Sequence, residues 1–188
     1  MRPRRIRFLL AAILLCLCAP ASAGCDDAWD WLNSPCRTLV DTYQHGHDDL
    51  LLSGFAWHTP WTWTREKREE ENENAWGGGW GRSRENPDDS TDTVYFLMFS
   101  DSHSKPQYNL GYGWSTYWGR RDSIQGGLGY TLALVARNDI ANGWPIPVVL
   151  PLVSVRYDRL TVYGTYIPTL GGINNGSVVY IFGKVALD

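Results

Sequence analysis

Between Val94 and Trp118 the residues sort by face. In an extended chain Tyr95, Leu97 and Phe99 fall on one side and Val94, Phe96 and Met98 on the other, all apolar. That run stops at Asp101-Ser102. After a short polar loop the pattern resumes, sorted by size. Leu110, Tyr112, Trp114 and Trp118 share one face, and Gly111, Gly113 and Ser115 the other. The same sorting recurs with Gly127, Gly129, Thr131 and Ala133 opposite Leu128, Tyr130, Leu132 and Leu134. A bulky outer face suits lipid, and a small-residue inner face leaves room for something inside.

Extended over the chain, this periodicity predicts eight strands: Asp49–His58, Trp76–Arg84, Thr93–Asp101, Tyr108–Trp118, Ser123–Ala136, Ile146–Tyr157, Leu160–Pro168 and Ser177–Leu187. Most have the roughly 9–11 residues that a tilted strand needs to cross a bilayer. The connections after the first, third, fifth and seventh strands are long and carry charge, Pro, Gly and Asn. Two of the others, Gly119–Asp122 and Asp158-Arg159, are tight, and Glu85–Asp92 is longer but turn-like. Long loops at one end, short turns at the other and an even strand count describe an all-β fold: an eight-stranded antiparallel transmembrane β-barrel. A short amphipathic helix at about 34–43 precedes a barrel over about 49–187. The competing reading is a lipocalin-like soluble barrel with its large residues turned inward. The third and sixth strands are apolar on both faces, and such an outer surface in water invites aggregation.

Composition adds an address. Residues 1–23 read as a signal peptide, with a basic start at Met1–Arg5, an apolar run from Phe8 to Cys18 and the small-residue site Ala21-Ser22-Ala23. The exported domain is then 24–188. A lipoprotein cleavage site ending at Cys25 is the alternative. Cys25 and Cys36 remain after cleavage, in an oxidising compartment where a disulfide is the default. On one continuous helix their Cα atoms would stand roughly 16 Å apart, beyond disulfide reach. A bridge therefore predicts a reversal near Asn33-Ser34-Pro35, with Ser34 as N-cap and Pro35 as the first helical residue. A net charge of −3 gives no reason to expect nucleic acid. Ten Trp and ten Tyr fit the interfacial belts of a membrane protein.

The candidate chemistry begins with Asp101-Ser102, an acid and a hydroxyl at the mouth of an apolar interior. Several further motifs are in register along residues 28–185: Ala56-Trp57-His58, Trp76-Gly77-Gly78-Gly79, Phe99-Ser100-Asp101-Ser102, Gly111-Tyr112-Gly113-Trp114, Leu150-Pro151-Leu152, Thr165-Tyr166-Ile167-Pro168 and Asn174-Asn175-Gly176. With these the chain resembles the PagP family, lipid A palmitoyltransferases of Gram-negative outer membranes. The resemblance implies an eight-stranded barrel and transfer of a palmitoyl chain from the sn-1 position of a phospholipid donor to a lipid A acceptor. It implies catalysis by His58, Asp101 and Ser102, with the site facing the cell exterior. It implies an acyl-chain pocket floored at Gly113, and lateral lipid access where Pro151 and Pro168 interrupt the ladder. No cofactor or metal is implied, and a monomer is expected. Two features depart from the family pattern. The chain ends in Ala186-Leu187-Asp188 where members end in an aromatic, and the best-known members lack the Cys25/Cys36 pair.

Acyl transfer needs an activated hydroxyl, a base and donors for the oxyanion. His58 and Asp101-Ser102 end strands that run toward the long-loop rim, so they can converge. Adjacent residues in a regular strand face opposite ways, so the backbone must turn at Asp101 if both serve one site. Ser102 is then either a nucleophile or a group that orients substrate or stabilises the oxyanion. His45 and His47 flank Gly46 without a third metal ligand. The Arg65–Glu73 charge run reads as a solvated loop, in which Arg65, Lys67 and Arg68 are placed to meet lipid A phosphates. A lipase-like hydrolase with water as acceptor and a non-catalytic lipid-binding or adhesive barrel are the competing functions.

Overall fold

The computed structural model describes Cys25, residues 29–169 and residues 176–187. The signal peptide read at 1–23 lies outside these residues. From Asp41 onward the chain is a closed antiparallel barrel with its strands in sequence order, β8 returning to β1. The strands are β1 (His47–His58), β2 (Asn74–Glu85), β3 (Ser90–Ser100), β4 (Pro106–Trp118), β5 (Gln125–Ala136), β6 (Ile146–Tyr157), β7 (Leu160–Ile167) and β8 (Val178–Ala186). All eight predicted strands are present, with ends shifted by up to three residues. The turn-like exception at Glu85–Asp92 tightens, because β2 and β3 pair as far as Glu85 with Thr91.

The large residues face outward. Leu50, Leu52, Phe96, Met98, Leu110, Leu128, Leu132, Val149, Val153 and Ile181 are all exposed on the outer wall. Aromatic side chains mark its two ends: Trp76, Tyr108 and Trp144 toward the long loops, Trp118 and Tyr157 toward the short turns. An apolar band between aromatic girdles is the surface of a lipid-embedded barrel, which removes the soluble alternative. No described helix is long and apolar enough to cross a membrane, a statement that bears on helices alone.

The helix before the barrel, α1, spans Asp30–His45 and corrects the prediction of about 34–43. Ser34 and Pro35 lie inside it rather than at its start. The helix begins where Leu32 N–H donates to the Trp29 carbonyl at 2.7 Å, and it continues through Pro35 at the expense of one backbone bond. Cys36 is in this helix and Cys25 precedes it; they are bonded, with Cα atoms 5.7 Å apart. The bridge therefore forms without a break at residues 33–35. On the barrel side, Asp41 pairs with Arg84 at 3.3 Å and the Tyr43 carbonyl accepts from Arg82 at 2.6 Å. These contacts fix residues 41–45, the end of α1, on the outer face of β2.

The inside of the barrel changes character along its length. Toward the short turns it is filled by a buried polar group. Lys184 Nζ donates to Ser83 Oγ at 2.6 Å and pairs with the Asp49 carboxylate at 3.4 Å. Ser83 also bonds Asp49, and Thr93 closes the group at 2.8 Å from Ser83. Toward the long loops the interior is apolar and holds a cavity of about 370 Å³.

Candidate active site

His58 points into the barrel, beside Ser102 at the cavity mouth, because β1 contains a bulge. Asp49, Leu51 and Ser53 point inward, and strict alternation would turn residue 58 outward. The register shifts between Ser53 and Phe55, after which Ala56 and His58 point inward. One extra residue in a strand reverses every later side chain. Gly54 sits in that shift, where a Cβ would lie 3.0 Å from the Ile181 carbonyl oxygen. His58 is fully buried, with its ring edge-on to Trp63 at 4.9 Å between centroids. Trp63 is itself held by an Nε1–H bond to the Ser177 carbonyl at 3.0 Å.

Ser102 meets His58 across the rim. Its Oγ is 3.2 Å from His58 Nε2, the only ring atom of that histidine with a hydrogen-bond partner among the described residues. Asp101 is the first residue beyond β3, and the backbone turns there, as the two roles required. The Asp101 N–H donates to the Lys105 carbonyl at 2.7 Å, and Ser104 closes the turn with a positive φ of 59°. The Asp101 carboxylate lies inside this turn. Oδ1 accepts from the His103 N–H at 2.9 Å and the Lys105 N–H at 2.8 Å. Among the described residues no hydrogen bond joins Asp101 to His58. The three predicted residues therefore converge unequally: His58 and Ser102 touch, and Asp101 shapes the loop that presents Ser102.

A second layer of charge surrounds this turn. Arg137 approaches Asp101 Oδ2 at 3.9 Å and forks onto Asp139 at 3.0 and 2.7 Å. Burial alone would raise the Asp139 carboxyl, but the guanidinium outweighs it and holds the group below its usual pKa. His103 lies 3.7 Å from the same carboxylate, tying the loop after β3 to the loop after β5. Periodicity gave no sign of Arg137 or Asp139. Glu73, also missed, places Oε1 3.1 Å from the His58 backbone N–H, which donates to it, and 3.6 Å from His58 Nδ1. The charge run that contains it is not all loop, although its composition predicts one: Arg65–Glu70 forms a short helix, α2, with Arg65 paired to Glu69 at 2.9 Å. His47 pairs with Asp49 at 3.3 Å, and no group of three or more His, Cys, Asp or Glu among the described residues is placed to hold a metal.

The cavity runs inward from Ser102 between Leu97, Phe99, Ala133, Leu150, Ile167 and Tyr180. Its deep end is a layer of Tyr95, Thr131, Leu152 and Phe182, which it shares with a smaller cavity beneath. Tyr95 O–H lies 2.7 Å from Thr131 Oγ1, and its ring covers Gly111, where a Cβ would come within 2.6 Å of it. Gly113 lines only the smaller cavity, one inward layer below Gly111. On one side the wall is incomplete. The β6–β7 ladder runs only from Leu152 and Thr165 downward, with the Thr165 hydroxyl donating to the Pro151 carbonyl at 2.7 Å. Above that point residues 146–150 are laddered to β5 and not to β7. Pro151 lies at the foot of this gap, and Pro168 follows the end of β7, so both prolines border the same gap. Val149 is 69% exposed to the outside and also borders the cavity.

The family described as antimicrobial peptide resistance and lipid A acylation protein PagP matches residues 38–184. A protein named lipid A acyltransferase PagP from Methylobacillus flagellatus is 36% identical over 165 residues, 88% of this chain and 89% of the relative. Proteins of the same name from Bordetella parapertussis and Legionella pneumophila are both 37% identical. They cover 95% of this chain and 97% of the relative, and 88% of each, respectively.

Proposed function

The chain belongs to the PagP family, and from that premise we propose that it is an outer-membrane acyltransferase that acylates lipid A. The donor is a phospholipid, which gives up a palmitoyl or similar long chain from its sn-1 position. The single observation that carries the reaction is the His58 Nε2 to Ser102 Oγ contact of 3.2 Å at the mouth of an apolar cavity. His58 takes the proton from the attacking hydroxyl, the oxygen attacks the ester carbonyl, and the proton leaves with the sn-1 oxygen. Ser102 either carries the acyl group between donor and acceptor or hydrogen-bonds the carbonyl oxygen. Asp101 holds the turn that presents Ser102. The rim with these residues faces the cell exterior, where lipid A resides, and the barrel works as a monomer. Mass spectrometry of lipid A from cells with and without the protein tests the reaction. One added long acyl chain is expected, and lipid A unchanged by expression of a folded barrel would reject it.

Lipids are proposed to pass through the gap between β6 and β7. Proline cannot donate to the ladder, so Pro151 and Pro168 keep the two strands from zipping shut above Leu152. A disulfide engineered across this gap is expected to stop transfer, and reduction to restore it. Full activity in a verified cross-linked barrel would rule the route out.

The depth of the pocket is proposed to set acyl length, with Gly113 supporting the floor from below. A Met side chain at 113 fills the small cavity and lifts the Tyr95–Leu152 layer. Gly113→Met is therefore expected to shorten the preferred chain by several carbons, and Gly113→Ala, whose Cβ would stand 3.8 Å from Leu152 Cδ1, by one carbon at most. Each excluded methylene forgoes about 0.8 kcal/mol of burial, which makes the preference sharp. Phospholipids of graded saturated chain length measure it. Unchanged preference in Gly113→Met would leave the layer above as the sole floor.

A further inference from the structure

We propose that Glu73 is the positioning residue for His58, holding the imidazole in the tautomer and orientation that leave Nε2 free to accept a proton from the attacking hydroxyl. The proposal rests on the reading of His58 and Ser102 as the reacting pair. Three observations carry it. First, His58 Nδ1 is buried without a hydrogen-bond partner among the described residues, and Glu73 Oε1 lies 3.6 Å away. That exceeds a hydrogen bond by only a few tenths of an ångström, and such bonds tighten when substrate closes a site. Second, Glu73 is fixed at this spot. Its Oε1 accepts from the His58 backbone N–H at 3.1 Å, and its own carbonyl accepts from Ala56 N–H at 2.9 Å. Third, Asp101 Oδ1 is occupied by the N–H groups of His103 and Lys105, Oδ2 has Arg137 at 3.9 Å, and neither oxygen is hydrogen-bonded to the ring among the described residues.

The chemistry follows from the two nitrogens. A neutral imidazole has one donor and one acceptor nitrogen. For Nε2 to accept from Ser102 or from the incoming hydroxyl, Nδ1 must carry the proton. A carboxylate facing Nδ1 favours that tautomer and stabilises the imidazolium that forms during transfer. The residues in line are thus Ser102, His58 and Glu73, drawn from the loop after β3, the end of β1 and the loop before β2. Glu71 and Arg137 also bear on the ring electrostatically, from the loop after β1 and from the loop after β5.

The test compares Glu73→Gln, Glu73→Asp and Glu71→Gln with the wild-type barrel in detergent, using a phospholipid donor and lipid A. Folding of each is verified by circular dichroism and heat-modified gel mobility. Glu73→Gln is expected to lower kcat more than about 10-fold with KM little changed, and Glu73→Asp to recover part of the loss. Ring ¹⁵N NMR of His58 is expected to show a proton on Nδ1 in the wild type and a shift of the tautomer population toward Nε2 in Glu73→Gln, whose amide N–H can donate to Nδ1 where the carboxylate could only accept. A smaller fall in kcat, an equal fall in Glu71→Gln, or an unchanged tautomer would overturn the proposal. Ser102→Ala is run alongside. If that variant folds and keeps transfer, the reading of the site fails, and the tautomer measurement still decides whether Glu73 orients His58.

Discussion

Ser102→Ala and His58→Ala are each expected to yield a folded barrel whose acyl transfer falls by about 100- to 10 000-fold. The size follows from the geometry. His58 is fully buried, and among the described residues Nε2 has one partner, the Ser102 hydroxyl at 3.2 Å. Removing either group leaves the cavity, the Asp101 turn and the gap between β6 and β7 in place, so donor binding survives while proton transfer does not. The loss should therefore appear in kcat rather than KM. Asp101 is expected to behave differently. Its Oδ1 accepts two backbone N–H groups, a task that an amide oxygen also performs, so Asp101→Asn should keep much of the activity that Asp101→Ala loses. Equal, complete loss in both Asp101 variants would mean that its charge acts in the reaction directly. Retention of most transfer by a folded Ser102→Ala barrel would remove the serine from the site.

The barrel was legible in the sequence because a lipid-facing strand has a two-residue period that any single strand displays. Leu110, Tyr112 and Trp114 against Gly111 and Gly113 gave both the strand and its outer face. The site was half legible. Family resemblance put His58, Asp101 and Ser102 at one rim, but alternation from Asp49 would have turned His58 into lipid. The bulge at Ser53–Phe55 that turns it inward leaves only a glycine as a trace, one of several in the chain. Glu73 was hidden for another reason: in a dense run of charged residues, no local pattern marks the one carboxylate that folds back onto a histidine fifteen residues earlier. The position of Gly113 depends on Tyr95, which sits on a different strand and covers Gly111. Cross-strand filling of that kind has no period to read. Pro35 misplaced the start of α1, because a proline that is favoured in a first turn is also tolerated further in when one lost bond is all it costs.

Lys184→Met is expected to destabilise the barrel by about 3–5 kcal/mol, because it strands the Asp49 carboxylate in the interior. Asp49 is completely buried. Its partners are Lys184 at 3.4 Å, Ser83, and the half-exposed His47 at 3.3 Å. Methionine matches much of the lysine stem but offers no proton, so Lys184 Nζ is lost both to Asp49 and to Ser83. The double variant Asp49→Leu with Lys184→Met removes both charges and is expected to recover most of the loss, since an apolar pair of similar volume replaces a costly desolvated one. Reversible urea unfolding of the barrel in lipid vesicles compares the three. The pair lies at the short-turn end, where Lys184 lines the smaller cavity and not the one that opens at Ser102, so the His58 rim should transfer acyl chains normally in any variant that stays folded. A single variant within about 1 kcal/mol of wild type would show that His47 and Ser83 alone satisfy Asp49. A double variant no better than the single would show instead that the interior here depends on the polar network as a whole rather than on the balance of its two charges.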